Sequence, residues 1–473
     1  MTALYAASGP VSSDVTREDE QFAELLPVTR RALLHRVAVG QVKGRTPSLV
    51  GAVMRDGRMV WSAGRGEVSG EVPGIQTQYR IGSVTKTFVA VLVLRLRDEG
   101  LLDLNDPLGK YLDTPEGGEA TLAQLLAHTS GLAAEARGPW WERTDGALRP
   151  ELADIFGEQP QLHPAGRLHH YSNPGYALLG ALVEQVRGES WYEVLRREVL
   201  VPLGMDRTTL VPEAPYAEGW AVHPWADVLL PEPAVDTGRM APAGQLWSTA
   251  EDLCRFAEFL LHGDDRVLAA ETIAQMRVPE TGPQEPGWTS GYGLGLQLQR
   301  KEGHFLFGHT GTMPGFVAGL WVSAEEGTAG VALANLTSSF ETAAVAADLV
   351  RTVAEHEPRI PEPWRPLELA DPALLELTGP WYWGSTPFAL RLCADGGLEL
   401  SPLGPGGRGA RFRAEADGTW TGLDGYYLGE TLRAVRSADG APGHLDIGTF
   451  VFTREPYAPD GAVPGGVDTG GWR

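Results

Sequence analysis

Two largely apolar, β-prone runs stand on either side of the polar Asp56-Gly57 in SLVGAVMRDGRMVWSAG, Ser48 to Gly64. That dipeptide tolerates positive φ at both turn positions, so the stretch predicts a hairpin. From Ser83 the pattern changes. RIGSVTKTFVAVLVLRLRDEG predicts a long apolar helix that stops at Gly100, because glycine most easily takes the left-handed conformation just past a helix end. TLAQLLAHTSGL and YALLGALVEQVRG continue a helical region to about residue 260. Short β-rich runs then return as HFLFGHTG, GFVAGLWVSA and AGVALANL, and ETAAVAADLVRTVAEH closes the region as a helix. The pattern predicts an α+β domain. Its antiparallel sheet draws its first and last strands from opposite ends of the domain, with helices on the faces and a helical insertion between.

Pro358, Pro361, Pro363 and Pro366 form a semi-rigid spacer. Beyond it, aromatic runs punctuated by Asp395-Gly396, Asp417-Gly418 and Asp439-Gly440 predict a small all-β barrel or sandwich. Trp381, Tyr382 and Trp383 are expected in its core rather than on a ligand platform. The expected organisation is a polar lead-in over 1–25, a main domain over 26–357, a linker over 358–368, an all-β domain over 369–457 and a Gly/Pro-rich tail over 458–473.

Composition narrows the partners. A formal charge of -22 and a pI near 4.9 repel nucleic acid and anionic membrane surfaces, which leaves a neutral or cationic small molecule. The N-terminus lacks a basic start followed by an apolar stretch, and the run Phe88 to Leu94 is too short to span a bilayer, so a cytoplasmic protein is expected. Cys254 and Cys393 fit reduced thiols better than a disulfide framework. Neither HFLFGH nor HGDD has the spacing of a helical zinc site, and no phosphate-binding glycine loop is present, so no metal or cofactor is expected.

Three segments carry candidate chemistry. Ser83 and Lys86 stand three apart and share one side of a helix, near the N-terminal N–H groups that favour an oxyanion. The pattern alone suits a helix cap and a surface lysine equally well. The chain, however, has only four lysines, Lys43, Lys86, Lys110 and Lys301, and uses arginine for every other basic position. Arginine serves as a solvated charge but does not give up its proton, whereas a buried lysine does. In HHYSNPGY, Tyr171 offers a second proton carrier and Asn173 an amide for lysine and substrate, although a turn with a buried tyrosine explains the stretch too. In FGHTGTMPGF, Gly311 allows close backbone approach, the N–H of Thr312 can face an oxyanion and His309 is a polar donor; a glycine-bearing turn is the plainer explanation.

Together the order Ser-x-x-Lys, Tyr-x-Asn, His-Thr-Gly resembles the class C β-lactamase-like serine hydrolases, the penicillin-binding-protein-like family. YRIGSVTKTF, LLAHTSGL, YSNPGY, PAGQLWSTAEDLCRFA and YGLGL resemble that family as well, over about residues 26 to 356. The resemblance implies a β-lactamase-like fold, followed here by the all-β domain as a lipocalin-like barrel or sandwich. It implies that Ser83 is the nucleophile, that Lys86 and Tyr171 move its proton, and that Asn173, His309 and Gly311 bind and orient substrate. The oxyanion hole would then be the N–H groups of Ser83 and Thr312. Esters and D-residue amides or peptides are the implied substrates.

Two departures bear on this. His309 stands where β-lactamases usually have lysine, which argues against efficient β-lactam hydrolysis, and Gln245 replaces a glycine with a bulkier side chain expected to narrow the pocket. An acyltransferase, peptide cyclase or thioesterase would use the same acyl-serine, and a catalytically silent binding protein would keep the same fold. No Gly-x-Ser-x-Gly elbow supports an α/β-hydrolase. If Lys86 is a base, Lys86→Arg keeps the charge and abolishes acylation of Ser83; an active variant, measured by ester turnover, would count against that role.

Overall fold

A computed structural model describes residues 24–280, 288–337, 340–369, 371–405, 407–438 and 440–457. The lead-in before Glu24, Asp439 and the tail from residue 458 lie outside the described residues. The chain divides into two compact units, Met1–Arg359 and Ile360–Arg473.

In the first unit, helix α1 (Pro27–Lys43) precedes the hairpin of β1 (Ser48–Arg55) and β2 (Arg58–Gly66). Asp56 and Gly57 both have positive φ, +48° and +79°, as that turn requires. Helix α2 (Thr85–Asp98) follows a single 3-10 turn, Gly82–Val84, and ends before Gly100 at φ +73°. Later come α3 (Asn173–Arg187), α4 (Ala250–His262), β3 (Ser290–Tyr292), β4 (Gln297–Lys301), β5 (His304–Met313), β6 (Phe316–Ser323), β7 (Thr328–Ala334) and α5 (Phe340–His356). The seven strands form one antiparallel sheet in the order β2-β1-β7-β6-β5-β4-β3, so the first strand pairs with the last, Leu49 opposite Ala334.

Strand periodicity divides the core. Leu49 and Val53 of β1 pack with Leu33, Val37, Val345 and Leu349 of α1 and α5. The intervening Val50, Ala52 and Met54 face the cluster that holds Phe88 of α2 and Phe256 of α4, whose rings stack 3.9 Å apart. Helices therefore cover both faces of the sheet, which is why β6 and β7 are buried along their whole lengths.

The region between α2 and α4 is less helical than its sequence suggests. Much of residues 100–172 folds as short turns, and a two-stranded ribbon, Gly219–Val222 with Leu229–Glu232, interrupts the remainder. Glu232 fastens that ribbon by accepting from Arg143 and from Thr337 Oγ1 at 2.7 Å; Thr337 Oγ1 in turn accepts from Gly315 N–H at 3.0 Å in the β5–β6 turn. Strands β3 and β4 are likewise absent from the sequence reading, since SGY and QLQRK carry little apolar signal.

The second unit is a closed barrel of eight consecutive antiparallel strands, from Gly379–Trp383 to Phe450–Thr453. Its interior is filled by Trp381, Phe388, Leu400, Phe412, Leu445 and Phe452 among others. Trp381 is completely buried, whereas Tyr382 is half-buried and Trp383 is exposed, so only the first of that trio fills the core.

Two glycines let the turn at Gly82 lie directly against β5. A Cβ on Gly82 would stand 2.6 Å from Thr312 N, and one on Gly311 would stand 2.0 Å from the Ile81 carbonyl oxygen and 2.8 Å from Ser83 N. Backbone meets backbone there, so no side chain can give way. Gly311→Ala is expected to destabilise the first unit by about 1–3 kcal/mol in urea unfolding, as overpacking does; an unchanged midpoint would mean that the turn is free to move.

Candidate active site

The apolar helix α2 carries Lys86 into the protein interior, where it is 0% exposed. Its Nζ lies 3.0 Å from Ser83 Oγ and donates to the Ala243 carbonyl at 2.6 Å. Burial lowers the lysine pKa to about 7, against the opposing pull of the Glu135 and Glu142 carboxylates. Near neutrality a large fraction of this amine is therefore uncharged and able to accept a proton.

Ser83 sits in the 3-10 turn just before α2 and remains partly open to solvent. Its N–H neighbours β5 through the Gly82–Gly311 contact. Strand β4 pairs with β5 only as far as Gly308, and the Thr310 N–H then donates sideways to Gln297 Oε1 at 3.0 Å. Strand N–H groups alternate, so the Thr312 N–H points to the same edge, where the Ser83 turn lies. The Ser83 turn and the Thr312 N–H therefore meet at this edge, an arrangement suited to a developing oxyanion.

Tyr171 stands across from them. Its ring centroid is 4.9 Å from Lys86 Nζ, and its hydroxyl contacts the Ser83 side chain. Burial raises its pKa, the Ser83 contact opposes the rise and Glu135 adds to it, so the phenol stays protonated at neutral pH. A cavity of about 400 Å³ opens beside it, lined by Tyr171, Thr310, Tyr292, Gln297 and Trp321 among others.

Asn173 lies near the start of α3, where Ser172 caps the helix by accepting from Gly175 N–H. Its Nδ2 donates to both Glu135 oxygens at 3.1 and 3.0 Å, while Lys86 Nζ is bonded to Ser83 and Ala243. His309 is 1% exposed; its Nδ1–H donates to the Thr310 carbonyl at 2.5 Å and its Nε2 accepts from Tyr292 Oη at 3.0 Å. Burial first, and then the nearby Lys86, lower the His309 pKa to about 3, so this ring is neutral. Gln245 does not project as expected. Its Oε1 accepts from the Thr237 N–H and hydroxyl, both at 2.6 Å, so the side chain pins a loop.

Glu135 is a residue the sequence reading missed. It also accepts from Trp141 Nε1 at 2.6 Å, which makes it a hub between the insertion and Asn173. Its only sequence signal is a lone carboxylate just after HTSGL. Among the described residues no group of three or more His, Cys, Asp or Glu is arranged to hold a metal, and no helix is long and apolar enough to cross a membrane. Cys254 is buried, which pushes its thiol up to about 12, and Cys393 is also free.

Known proteins share this arrangement of elements. The Beta-lactamase family model matches residues 30–355, and a domain of unknown function, DUF7586, matches 370–454. Penicillin-binding protein 4 of Amycolatopsis lactamdurans is 30% identical over 287 residues, 56% of this chain and 74% of that protein. Of several further curated relatives the chain spans only 45% to 61% of the length. Among solved structures, SurE with D-Leu is 25% identical with a TM-score of 0.56, covering 91% of this chain and 100% of that one. A D-stereospecific amidohydrolase from Streptomyces sp. is 25% identical with a TM-score of 0.55, covering 69% of this chain and 98% of the other. The chain belongs to the Beta-lactamase family, as one of its class C-like, penicillin-binding-protein-like serine hydrolases.

Proposed function

We propose that the chain is an acyl-enzyme hydrolase of neutral esters or D-residue amides and peptides, with Ser83 as nucleophile. The observation that carries this reading is the 3.0 Å contact of Ser83 Oγ with a buried amine whose pKa is lowered to about 7. Ser83 Oγ attacks the carbonyl carbon as Lys86 takes its proton, and the N–H groups of Ser83 and Thr312 receive the oxyanion. The protonated Tyr171 hands a proton to the leaving group, and water then attacks the ester through the same groups in reverse. Asn173, fixed by Glu135, and Gly311, which keeps the strand edge open, orient the acyl group.

His309 informs the substrate class. A neutral ring at that position supplies no cation for a penicillin carboxylate, which favours uncharged leaving groups and makes a cephalosporin a poor substrate. D-residue amides are favoured by the likeness to the D-stereospecific amidohydrolase.

A fluorophosphonate probe is expected to label Ser83, found by mass spectrometry, and Ser83→Ala to abolish both labelling and turnover of a chromogenic short-chain ester. An unlabelled wild-type protein would contradict the proposal. Tyr171→Phe is expected to cost on the order of 100-fold in kcat. Because the free base is the reactive form of Lys86, kcat/KM rises with pH and reaches half its plateau near pH 7. A profile flat from pH 5 to 9, a span of about two pH units either side of that value, would remove Lys86 as the base.

A further inference from the structure

His128 belongs to the LLAHTSGL stretch, and no step of the reaction uses it. It is 0% exposed, and its backbone is left-handed at φ +57°, a conformation that residues other than glycine adopt rarely. With that backbone, both its carbonyl and its ring turn toward the segment that carries Tyr171. The His128 carbonyl accepts from the His170 N–H at 2.8 Å, and His128 Nδ1 accepts from the Ser172 N–H at 3.0 Å. Those two amides belong to the residues on either side of Tyr171. Between them the imidazole lies against the Tyr171 ring, centroids 4.0 Å apart and planes tilted by 32°. The rings of Tyr176 and Tyr292 are the next neighbours of His128, at 5.0 and 4.7 Å.

We infer that His128 is a positioning residue for Tyr171, holding the two flanking peptide N–H groups and one ring face so that the phenol oxygen stays within reach of Ser83. This rests on the reading of Tyr171 as a proton carrier. Accepting at Nδ1 places the imidazole proton on Nε2, so the hold requires the neutral ring. Burial and the nearby Lys86 keep the ring neutral by lowering its pKa. In this left-handed conformation the carbonyl and the ring of His128 reach the same three residues, His170, Tyr171 and Ser172. The strained φ at this position is thereby explained by what it positions.

The inference is tested by a double-mutant cycle between His128 and Tyr171. His128→Asn keeps a residue that tolerates left-handed backbone but removes the ring and shortens the acceptor. It is expected to lower kcat for a chromogenic ester by about 10- to 100-fold with KM nearly unchanged, as small displacements of a catalytic group do. In a Tyr171→Phe background the same substitution should cost less than about threefold, because the group it positions is already gone. Equal losses in both backgrounds would overturn the inference while leaving the acyl-serine proposal intact, since that proposal stands or falls on labelling of wild-type Ser83.

A readout independent of turnover uses 3-fluorotyrosine at position 171. The wild-type ring is expected to give one fluorine resonance with slow ring reorientation, and His128→Asn or His128→Gln to shift and mobilise it. A ring already mobile in the otherwise unaltered protein would overturn the inference without any His128 variant having to fold.

Discussion

The site depends on keeping an amine out of water. A lysine on a solvated helix face is an ammonium and cannot accept a proton, and only when desolvation outweighs nearby carboxylates does the free base become common near neutrality. Helix α2 supplies that desolvation, because it is apolar on nearly every side and packs against both the sheet and the insertion. The Ala243 carbonyl at 2.6 Å and the serine at 3.0 Å give the amine two polar neighbours with no carboxylate in contact among the described residues, so the position binds the side chain firmly and still leaves it titratable. Glu135 and Glu142 act from farther away. They temper the shift and stop short of reversing it.

The same packing that buries Lys86 also sets the proposed oxyanion donors, the N–H groups of Ser83 and Thr312. Gly82 and Gly311 remove the two side chains that would stand between the Ser83 turn and the open edge of β5, so the donors come from rigid backbone rather than from rotatable groups. Around them, side chains of the insertion hold the neighbouring segments in place. Glu135 holds Asn173, His128 flanks Tyr171, and Glu232 ties the ribbon to the β5–β6 turn through Thr337. The proposed catalytic groups, drawn from a helix, a loop and a strand, thereby share one frame.

Much of the fold was legible because it is written in short-range patterns. The Asp56-Gly57 hairpin, the apolar helix ending before Gly100 and the three late strands are local signals, and the pairing of first and last strands follows from their place in one sheet. The reading failed where tertiary context decides. Residues 100–172 hold apolar positions at helical spacing but spend them on short turns around the site, and β3 and β4 are polar edge strands with little signal of their own. Gln245 looked like an obstruction because sequence gives size and not direction; its amide turns to Thr237. Glu135 and His128 were illegible for a related reason, since a carboxylate that clamps an asparagine and an imidazole that accepts from a peptide N–H show their use only in three dimensions.

The rarity of lysine makes the central claim directly measurable. With four lysines in the chain, nitrogen-15 labelling of the lysine side chains gives a spectrum simple enough to assign Lys86 by its loss in Lys86→Ala. The account predicts that the Lys86 resonance titrates near pH 7 in the folded protein with Ser83 in place. A Lys86 resonance that stays in its ammonium form up to the ordinary lysine pKa, about 10.4, would contradict it.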